Sequence, residues 1–262
     1  MKHKKFGMVI DLDKCVGCGT CMVGCMAENN VPFREDDTDK LLSVAWMRVY
    51  RLTNGKPYPD TEECFLPRPC QQCEGHAGHS PCVSVCPATA TDYDMDTGIV
   101  SQIYTRCFGC RYCMAACPYH VRQFNWWDPV WPDGMERSLN PNVSVRMRGV
   151  VEKCSFCIHR YQLAKERAYA EGRREIEEHE YQTACTQACP AGAITFGDLN
   201  NPKHAVHQMV RPDLKHGGKS KNPKAFRLLE RLGTNTKVYY LSSREWVRRA
   251  GDNYLKNEVK AH

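Results

Sequence analysis

The chain has 262 residues, 42% of them hydrophobic, and no apolar run approaches the roughly eighteen residues that span a bilayer as a helix; it is not expected to cross a membrane by itself. Its formal charge of +6 is concentrated at one end, because residues 200–262 hold fourteen Lys and Arg against five Asp and Glu while residues 1–199 hold twenty-two against twenty-five. Such an end suits nucleic acid, an anionic membrane surface or an acidic partner. No base-reading module accompanies it, and a solvated charged tail is the plainer outcome.

The start, Met1-Lys2-His3-Lys4-Lys5, imitates the basic region of a signal peptide, but the apolar stretch Phe6 to Ile10 is too short for a signal core and ends at Asp11 and Asp13. No twin-arginine pair appears there, so a location outside the cytoplasm would imply export alongside a signal-bearing partner. Phe6 to Leu12 reads as a short strand delivering Cys15. The turn Val16-Gly17-Cys18-Gly19 needs glycine for close backbone approach to sulfur. Thr20 to Asn29 suits a short helix carrying Cys21 and Cys25 about one turn apart, and Ala45 to Leu52 alternates like a strand. Pro57 to Pro69 reads as loop leading to Cys70. Thr91 to Met95, the turn Asp96-Thr97-Gly98 and Ile99 to Tyr104 form a predicted hairpin. Ile158 to Gln182, rich in Ala, Glu, Arg and Gln, favours a helix or helical hairpin with Gly172 as its weak point. Ala193 to Phe196 and Lys237 to Leu241 are expected to return to a sheet. Pro202 to Pro223, with Gly217-Gly218 and several lysines, is expected to be irregular.

Sixteen of the seventeen cysteines fall into four groups of four with one grammar. Cys15, Cys18, Cys21 and Cys25 are spaced C-x2-C-x2-C-x3-C, and Cys107, Cys110, Cys113 and Cys117 repeat it. Cys70, Cys73, Cys82 and Cys86 keep both ends but stretch the middle, as do Cys154, Cys157, Cys185 and Cys189. Three closing cysteines precede proline, at Pro87, Pro118 and Pro190. This is the bacterial ferredoxin run, in which three thiolates hold one cluster and the fourth reaches its neighbour. A disulfide framework suits much shorter secreted chains and an even cysteine count. Structural zinc needs neither the third cysteine nor the proline. The spacing thus points to four [4Fe-4S] clusters. Each oxidised cluster with its thiolates carries roughly two negative charges, which brings the loaded chain near neutrality. Cys64 stands apart and reads as a buried or idle thiol.

The expected fold is α+β: two nested ferredoxin-like halves, each a two-[4Fe-4S] unit, with an irregular C-terminal tail. Residues 1–66 plus 150–200 make the outer half, residues 67–149 the inner half and residues 201–262 a basic extension. The ferredoxin exchange rule assigns Cys15, Cys18, Cys21 and Cys189 to a first cluster and Cys25, Cys154, Cys157 and Cys185 to a second. A third takes Cys70, Cys73, Cys82 and Cys117, and a fourth Cys86, Cys107, Cys110 and Cys113. No catalytic residue is expected. Lys153, Arg106 and Arg111 sit beside ligands and suit either raising local potentials or forming surface ion pairs. Trp126, Trp127 and Trp131 suit core packing or a subunit interface better than a quinone site. His76 and His79 read as exposed loop residues rather than proton carriers. Asn142-Val143-Ser144 fits a glycosylation pattern without further support.

The stretches Met8-Val9-Ile10-Asp11, Lys14-Cys15-Val16-Gly17-Cys18 and Arg111-Tyr112-Cys113-Met114-Ala115-Ala116-Cys117-Pro118-Tyr119 resemble the four-cluster subunit of molybdopterin oxidoreductase complexes, such as polysulfide, dimethyl-sulfoxide and arsenate reductases. Cys70-Gln71-Gln72-Cys73-Glu74-Gly75 and Ser138-Leu139-Asn140-Pro141-Asn142-Val143-Ser144-Val145-Arg146 look like the branch formed by alternative complex III and the menaquinone reductase (Qrc) complex. The resemblance implies single-electron transfer in a membrane-associated respiratory complex on the periplasmic face of the inner membrane, with the cytoplasmic side left open. It also implies that one centre could be a [3Fe-4S] cluster, as in fused relatives that lack an inner-group cysteine, although Cys110 is present here. Its implied partners are a large molybdopterin-oxidoreductase-like subunit, an integral membrane quinone-binding subunit and a multihaem cytochrome c, with electrons moving from the cytochrome toward menaquinone. The alternative is a molybdopterin reductase fed by quinol. A distant third reading, structural clusters with a tail gripping nucleic acid, would be marked by salt-dependent binding.

Overall fold

The computed structural model describes residues 3–32, 44–76, 78–213 and 217–252. In chain order the first part holds β1 (Phe6–Asp11), α1 (Thr20–Glu28), β2 (Arg48–Thr53), β3 (Glu63–Arg68), α2 (Pro81–Ser84), β4 (Thr91–Tyr93), β5 (Val100–Gln102), α3 (Tyr112–Ala115) and β6 (Gln123–Phe124). After these come β7 (Val151–Glu152), α4 (Ile158–Ala170), α5 (Ala184–Gln187), β8 (Ile194–Asp198), α6 (Ala205–Val210), β9 (Pro212–Asp213), β10 (Lys219–Ser220), β11 (Ala225–Phe226), β12 (Val238–Leu241) and α7 (Glu245–Asp252).

Strand β1 is apolar for five consecutive buried residues, the signature of a strand covered on both faces. It pairs antiparallel with β8 (Met8 opposite Phe196) and parallel with β12 (Met8 opposite Val238), giving a sheet ordered β11-β12-β1-β8. Phe6 meets Tyr181 edge-on at 4.8 Å and stacks on Phe196 at 5.8 Å, and Phe156 meets Phe196 at 5.1 Å. Edge-on and offset aromatic pairs of this kind add to the area they bury. The Tyr181 hydroxyl donates to the Phe156 carbonyl at 2.7 Å, tying this aromatic block to the segment carrying Cys154 and Cys157. The predicted hairpin is present as β4 and β5, with Tyr93 opposite Val100.

Three expectations need correction. Pro57–Pro69 is not all loop, for Glu63–Arg68 pairs with β2 and buries Cys64 and Leu66. The alternation of buried positions carried the signal and Pro67 obscured it; a two-stranded sheet is all edge, where proline's missing donor is tolerated. Ile158–Gln182 is not helical throughout: of the helix or helical hairpin expected there, the helix is present over Ile158–Ala170, with only a 3-10 turn at Glu178–Glu180 beyond it. The helix stops at Ala170 because Gly172 adopts φ 74° and the Arg173 amide returns to the Ala168 carbonyl at 2.8 Å, a Schellman closure. The C-terminal extension is not an irregular tail: α6, β9 to β12 and α7 occupy it, and β12 lies inside the main sheet because Val238, Tyr239 and Tyr240 are buried there. Within Pro202–Pro223, residues 214–216 lie outside the described residues, as do Met1 and Lys2 of the basic start and residues 253–262 of the basic end.

The extension also grips the Cys70 turn. The amides of Glu74 and Gly75 donate to the carbonyls of Asn235 and Thr234, the Lys237 amide donates to Gln71 O at 3.0 Å, and Gln71 Nε2 donates to the Tyr240 hydroxyl at 3.1 Å. Tyr119, two residues after Cys117, shares a 2.5 Å hydrogen bond with Thr234. Tyr240→Ala removes a fully buried ring from this contact, and large-to-small aromatic truncations cost about 3–5 kcal/mol. Thermal bleaching of the loaded protein's visible absorbance is expected at a distinctly lower temperature in that variant than in wild type.

Candidate metal centres

No disulfide joins any of the seventeen cysteines. Burial first, then the thiols of Cys15, Cys189 and Cys18, push Cys21 up to about 11. Cys25 is raised well above its ordinary range by burial and then by Cys154, Cys157 and Cys185. Cys73 is raised by burial and then by Cys70, Cys117 and Cys82. Cys86, Cys107, Cys110 and Cys113 line one cavity together with Phe108 and Arg111. The fold thus gathers the sixteen predicted thiols into four neighbourhoods. The neighbourhoods also touch: Cys21 acts on Cys25 and Cys185, Cys70 on Cys154, and Cys82 on Cys113. The two ends of this row reach the surface, at Cys18 and at Cys110. Cys64 is buried in β3 and raised to about 11, mainly by burial.

These neighbourhoods fit an iron-sulfur core. Buried thiols that repel one another's ionised forms have no reason to converge unless a metal centre supplies the positive charge that makes them thiolates. Among the described residues no three His, Cys, Asp or Glu side chains converge closely enough for a single metal ion, and a four-iron cube spaces its ligands more widely than one ion does. Donors already point at sulfur. The amides of Ala90 and Ala193 approach Cys86 and Cys189 at 3.2 and 3.3 Å, and those of Val151 and Phe156 approach Cys107 and Cys154 at 3.5 Å. Asn29 Nδ2 lies 3.7 Å from Cys25 and 3.8 Å from Cys157. Such donors stabilise a negatively charged cluster and tune its potential. At Cys86 burial works upward, but amides of Thr91, Ala88 and Ala90 outweigh it and hold the thiol below its usual range.

Side chains distant in sequence lock the neighbourhoods together. Gln72, wholly buried, donates to the Cys154 carbonyl at 2.8 Å and accepts from the Val100 amide at 2.7 Å, which bridges the Cys70 and Cys154 segments. Asn30 and Asn140 exchange hydrogen bonds, and Arg146 donates to the Asn30 carbonyl while its guanidinium pairs with buried Glu152 at 3.0 Å. The two branch-like motifs, Cys70–Gly75 and Ser138–Arg146, are therefore structural joints. Glu28 at the end of α1 takes Arg160 on both oxygens, at 2.5 and 2.6 Å, and His159 at 2.6 Å, which pins α1 to the start of α4. Gly109, at φ 77°, has the Gly149 carbonyl oxygen 2.1 Å from where a Cβ would stand, so the chain closes over the Cys107–Cys113 cavity only without a side chain.

The cations differ from expectation. Lys153 forms no surface ion pair: it is fully buried and donates to the carbonyls of Val100 and Cys154. Arg111 lies over the rings of Phe124 and Trp126, 5.3 and 4.9 Å from their centroids. Sequence reasoning missed Arg122 and Lys237, which are 4% and 2% exposed and face Cys82 and Cys73 respectively. Lys237, the one charge in an otherwise apolar strand run, was a readable signal; burial pulls it down to about 8. Arg122 carried none. His76 and His79 are exposed, as expected. Trp126 and Trp127 are also exposed, with Phe108, Tyr112 and Met147, so they are not core residues.

Thiols in fours, met by amide donors and buried cations, define a multi-cluster ferredoxin-type electron-transfer protein. The sequence profile of the 4Fe-4S dicluster domain matches residues 61–132 and that of a 4Fe-4S binding domain matches residues 6–27. The chain is 59% identical, over 97% of its length and 95% of the relative's, to the menaquinone reductase iron-sulfur cluster-binding subunit of Nitratidesulfovibrio vulgaris. It is 34% identical to the Hdr-like menaquinol oxidoreductase iron-sulfur subunit 1 of Archaeoglobus fulgidus (91% of this chain, 84% of that one). It is 31% identical to the arsenate respiratory reductase iron-sulfur subunit of a Shewanella species (91% and 97%). The chain belongs to the family of iron-sulfur cluster-binding subunits that these relatives represent, and its role is electron transfer through [4Fe-4S] clusters, for which its sixteen motif cysteines suffice for four. No helix among the described residues is long and apolar enough to cross a membrane.

Burial alone would raise the Glu28 carboxyl, but the hydrogen bonds from Arg160 and His159 outweigh it and hold the group below its ordinary 4.5. A depressed folded-state value means that ionised Glu28 stabilises the fold above about that pH and ceases to do so as pH falls through the lower folded value. The stability difference between wild type and Glu28→Gln, followed by denaturant titration, is expected to be constant near neutrality and to vanish in acid.

Proposed function

We propose that Cys15, Cys18, Cys21 and Cys189 hold the first cluster; Cys25, Cys154, Cys157 and Cys185 the second; Cys70, Cys73, Cys82 and Cys117 the third; and Cys86, Cys107, Cys110 and Cys113 the fourth. The observation that carries this reading is the crossing of closing cysteines: Cys189 faces the Cys15 group, Cys25 the Cys154 group and Cys117 the Cys70 group. The halves follow from it, residues 1–66 with 150–200 outside and 67–149 inside. The pairing of β1 with β8 supports the outer half, although β3 straddles its 66/67 boundary, and the extension from 201 belongs to the outer sheet.

Bound there, the clusters supply one-electron transfer. The chain's own part is to hold them in a row, exclude water between Cys25 and Cys117, and leave the ends accessible at Cys18 and Cys110. The exposed apolar residues about the Cys110 end, Phe108 (67% exposed), Tyr112 and Trp127 among them, support docking of a partner subunit there. Likeness to the menaquinone reductase subunit supports menaquinone as the acceptor. The resemblance of the Cys70–Gly75 and Ser138–Arg146 motifs to that branch supports a peripheral complex on the periplasmic face of the inner membrane, with the cytoplasmic side as the alternative, and a multihaem cytochrome c as the donor. A large molybdopterin-oxidoreductase-like subunit and an integral membrane quinone-binding subunit complete the complex. The arsenate reductase relative supports a second reading, a molybdopterin reductase fed by quinol.

The native complex separates the two. Purified intact, it is expected to contain haem c and no molybdenum; molybdenum with reduction of an oxyanion or sulfoxide would select the second reading. For the ligand sets, Cys117→Ser is expected to lower iron by about one to four atoms per chain, the difference between a three-iron centre and a lost cluster. Unchanged iron and an unchanged spectrum would remove Cys117 from the third set.

A further inference from the structure

Buried cations are not spread evenly along the row. Lys237 Nζ lies 4.9 Å from the centroid of the Tyr93 ring and makes no hydrogen bond. Its backbone is fastened to Gln71 between Cys70 and Cys73. Glu74, the carboxylate whose charge acts on Lys237, is itself paired with Lys5 at 2.7 Å. Arg122 donates Nη1 to Gln102 Oε1 at 2.9 Å, and the rest of its guanidinium meets no carboxylate but acts on the sulfurs of Cys82 and Cys113 and on Cys70. Both side chains are more than nine-tenths buried. An unneutralised cation in such a place is costly unless an anion stands beside it.

No other neighbourhood holds two such cations among the described residues: the Cys86, Cys107, Cys110 and Cys113 group shares Arg122, which also acts on Cys113, but has no counterpart of Lys237. The cation beside Cys157, Arg160, is paired with Glu28. Lys153, beside Cys154, is a single buried cation whose charge acts on Cys154 while its ammonium donates to two carbonyls. At the Cys15 group the charges acting on Cys15 and Cys21 come from other thiols, and Cys18 is exposed to solvent.

We propose that Lys237 and Arg122 are potential-setting residues that make the Cys70, Cys73, Cys82 and Cys117 site the most easily reduced of the four, an interior electron reservoir in the row. A reduced cluster carries one more negative charge than an oxidised one, and fixed cations in a low dielectric favour the more negative state. Lys237 comes from the C-terminal extension, so the strand that braces the Cys70 turn also carries the charge. The inference rests on the ligand assignment proposed above for the third set.

The test uses the full-length cluster-loaded chain, reduced stepwise with dithionite and redox mediators and followed by electron paramagnetic resonance. In wild type the first centre to be reduced should be the one whose signal Cys117→Ser abolishes or converts to a three-iron signature. In Lys237→Met, with iron and sulfide content checked first, that centre should shift to lower potential by at least tenfold in its reduction equilibrium, about 59 mV for one electron. The remaining centres should stay in place, and Lys237→Arg should restore the wild-type value. Should the Met variant lose iron, Arg122→Gln carries the comparison for that centre, and the Cys86, Cys107, Cys110 and Cys113 centre should then move in the same direction, because Arg122 also acts on Cys113, while the other two stay in place. A first-reduced centre untouched by Cys117→Ser, or an unmoved midpoint in a fully loaded Lys237→Met chain, overturns the proposal. Failure of the ligand assignment looks different: Cys117→Ser would then leave every signal and the iron content unchanged.

Discussion

Desolvation of thiols governs this molecule. The main apolar core contains Cys21, Cys25, Cys70, Cys117, Cys154 and Cys185 among its own members, so the residues that would ordinarily supply folding energy are interleaved with groups that resist ionisation there. Burying them as thiols is tolerable for small apolar side chains, but bringing four to one point gains nothing that a leucine would not. The arrangement becomes favourable only when a metal-sulfide core converts mutual repulsion into coordination, and folding and cluster capture are then one process. Long-range joints such as Gln72 to Cys154 and Asn30 to Asn140 reinforce those closures, and few local contacts could replace them.

Much of this was legible in the cysteine spacing, because a C-x2-C-x2-C run fixes local backbone geometry and its closing cysteine must reach elsewhere. Strand β1, helix α1 and the β4–β5 hairpin were also readable from period and turn chemistry. What escaped were contacts whose cause lies far along the chain. Nothing near Arg122 announces that Cys82 and Cys113 converge on it. Nothing in Ser138–Arg146 announces that Asn140 will meet Asn30. Pro67 hid β3 because proline argues against a strand until the strand is known to be an edge. The basic extension was read in part: Lys237 to Leu241 was expected in a sheet and forms β12 there, but counting charges gave the rest the composition of an irregular tail.

Part of that excess positive charge is not at the surface at all. Arg227 is 5% exposed, bound to the Gly217 carbonyl and to Glu230, and Lys237 is more deeply buried still. Charge counting assigns both to a docking patch, whereas the fold spends them inside. This weakens the reading of the extension as a grip for nucleic acid, since the cations such a grip needs must face outward.

A buried cation and a buried anionic cluster are each unfavourable alone, and each is the natural partner of the other. The C-terminal strand therefore has two effects that cannot be separated by position, since the same residue that hydrogen-bonds Gln71 through its backbone presents an ammonium through its side chain. The backbone bond holds the Cys70–Cys73 turn in one conformation, and the ammonium sets the energy of an electron placed there. An extension that merely covered the turn would need only the hydrogen bond and could carry a methionine in place of Lys237. Glu74, shared with Lys5, answers part of the Lys237 charge, and a site beneath it that becomes negative answers the rest.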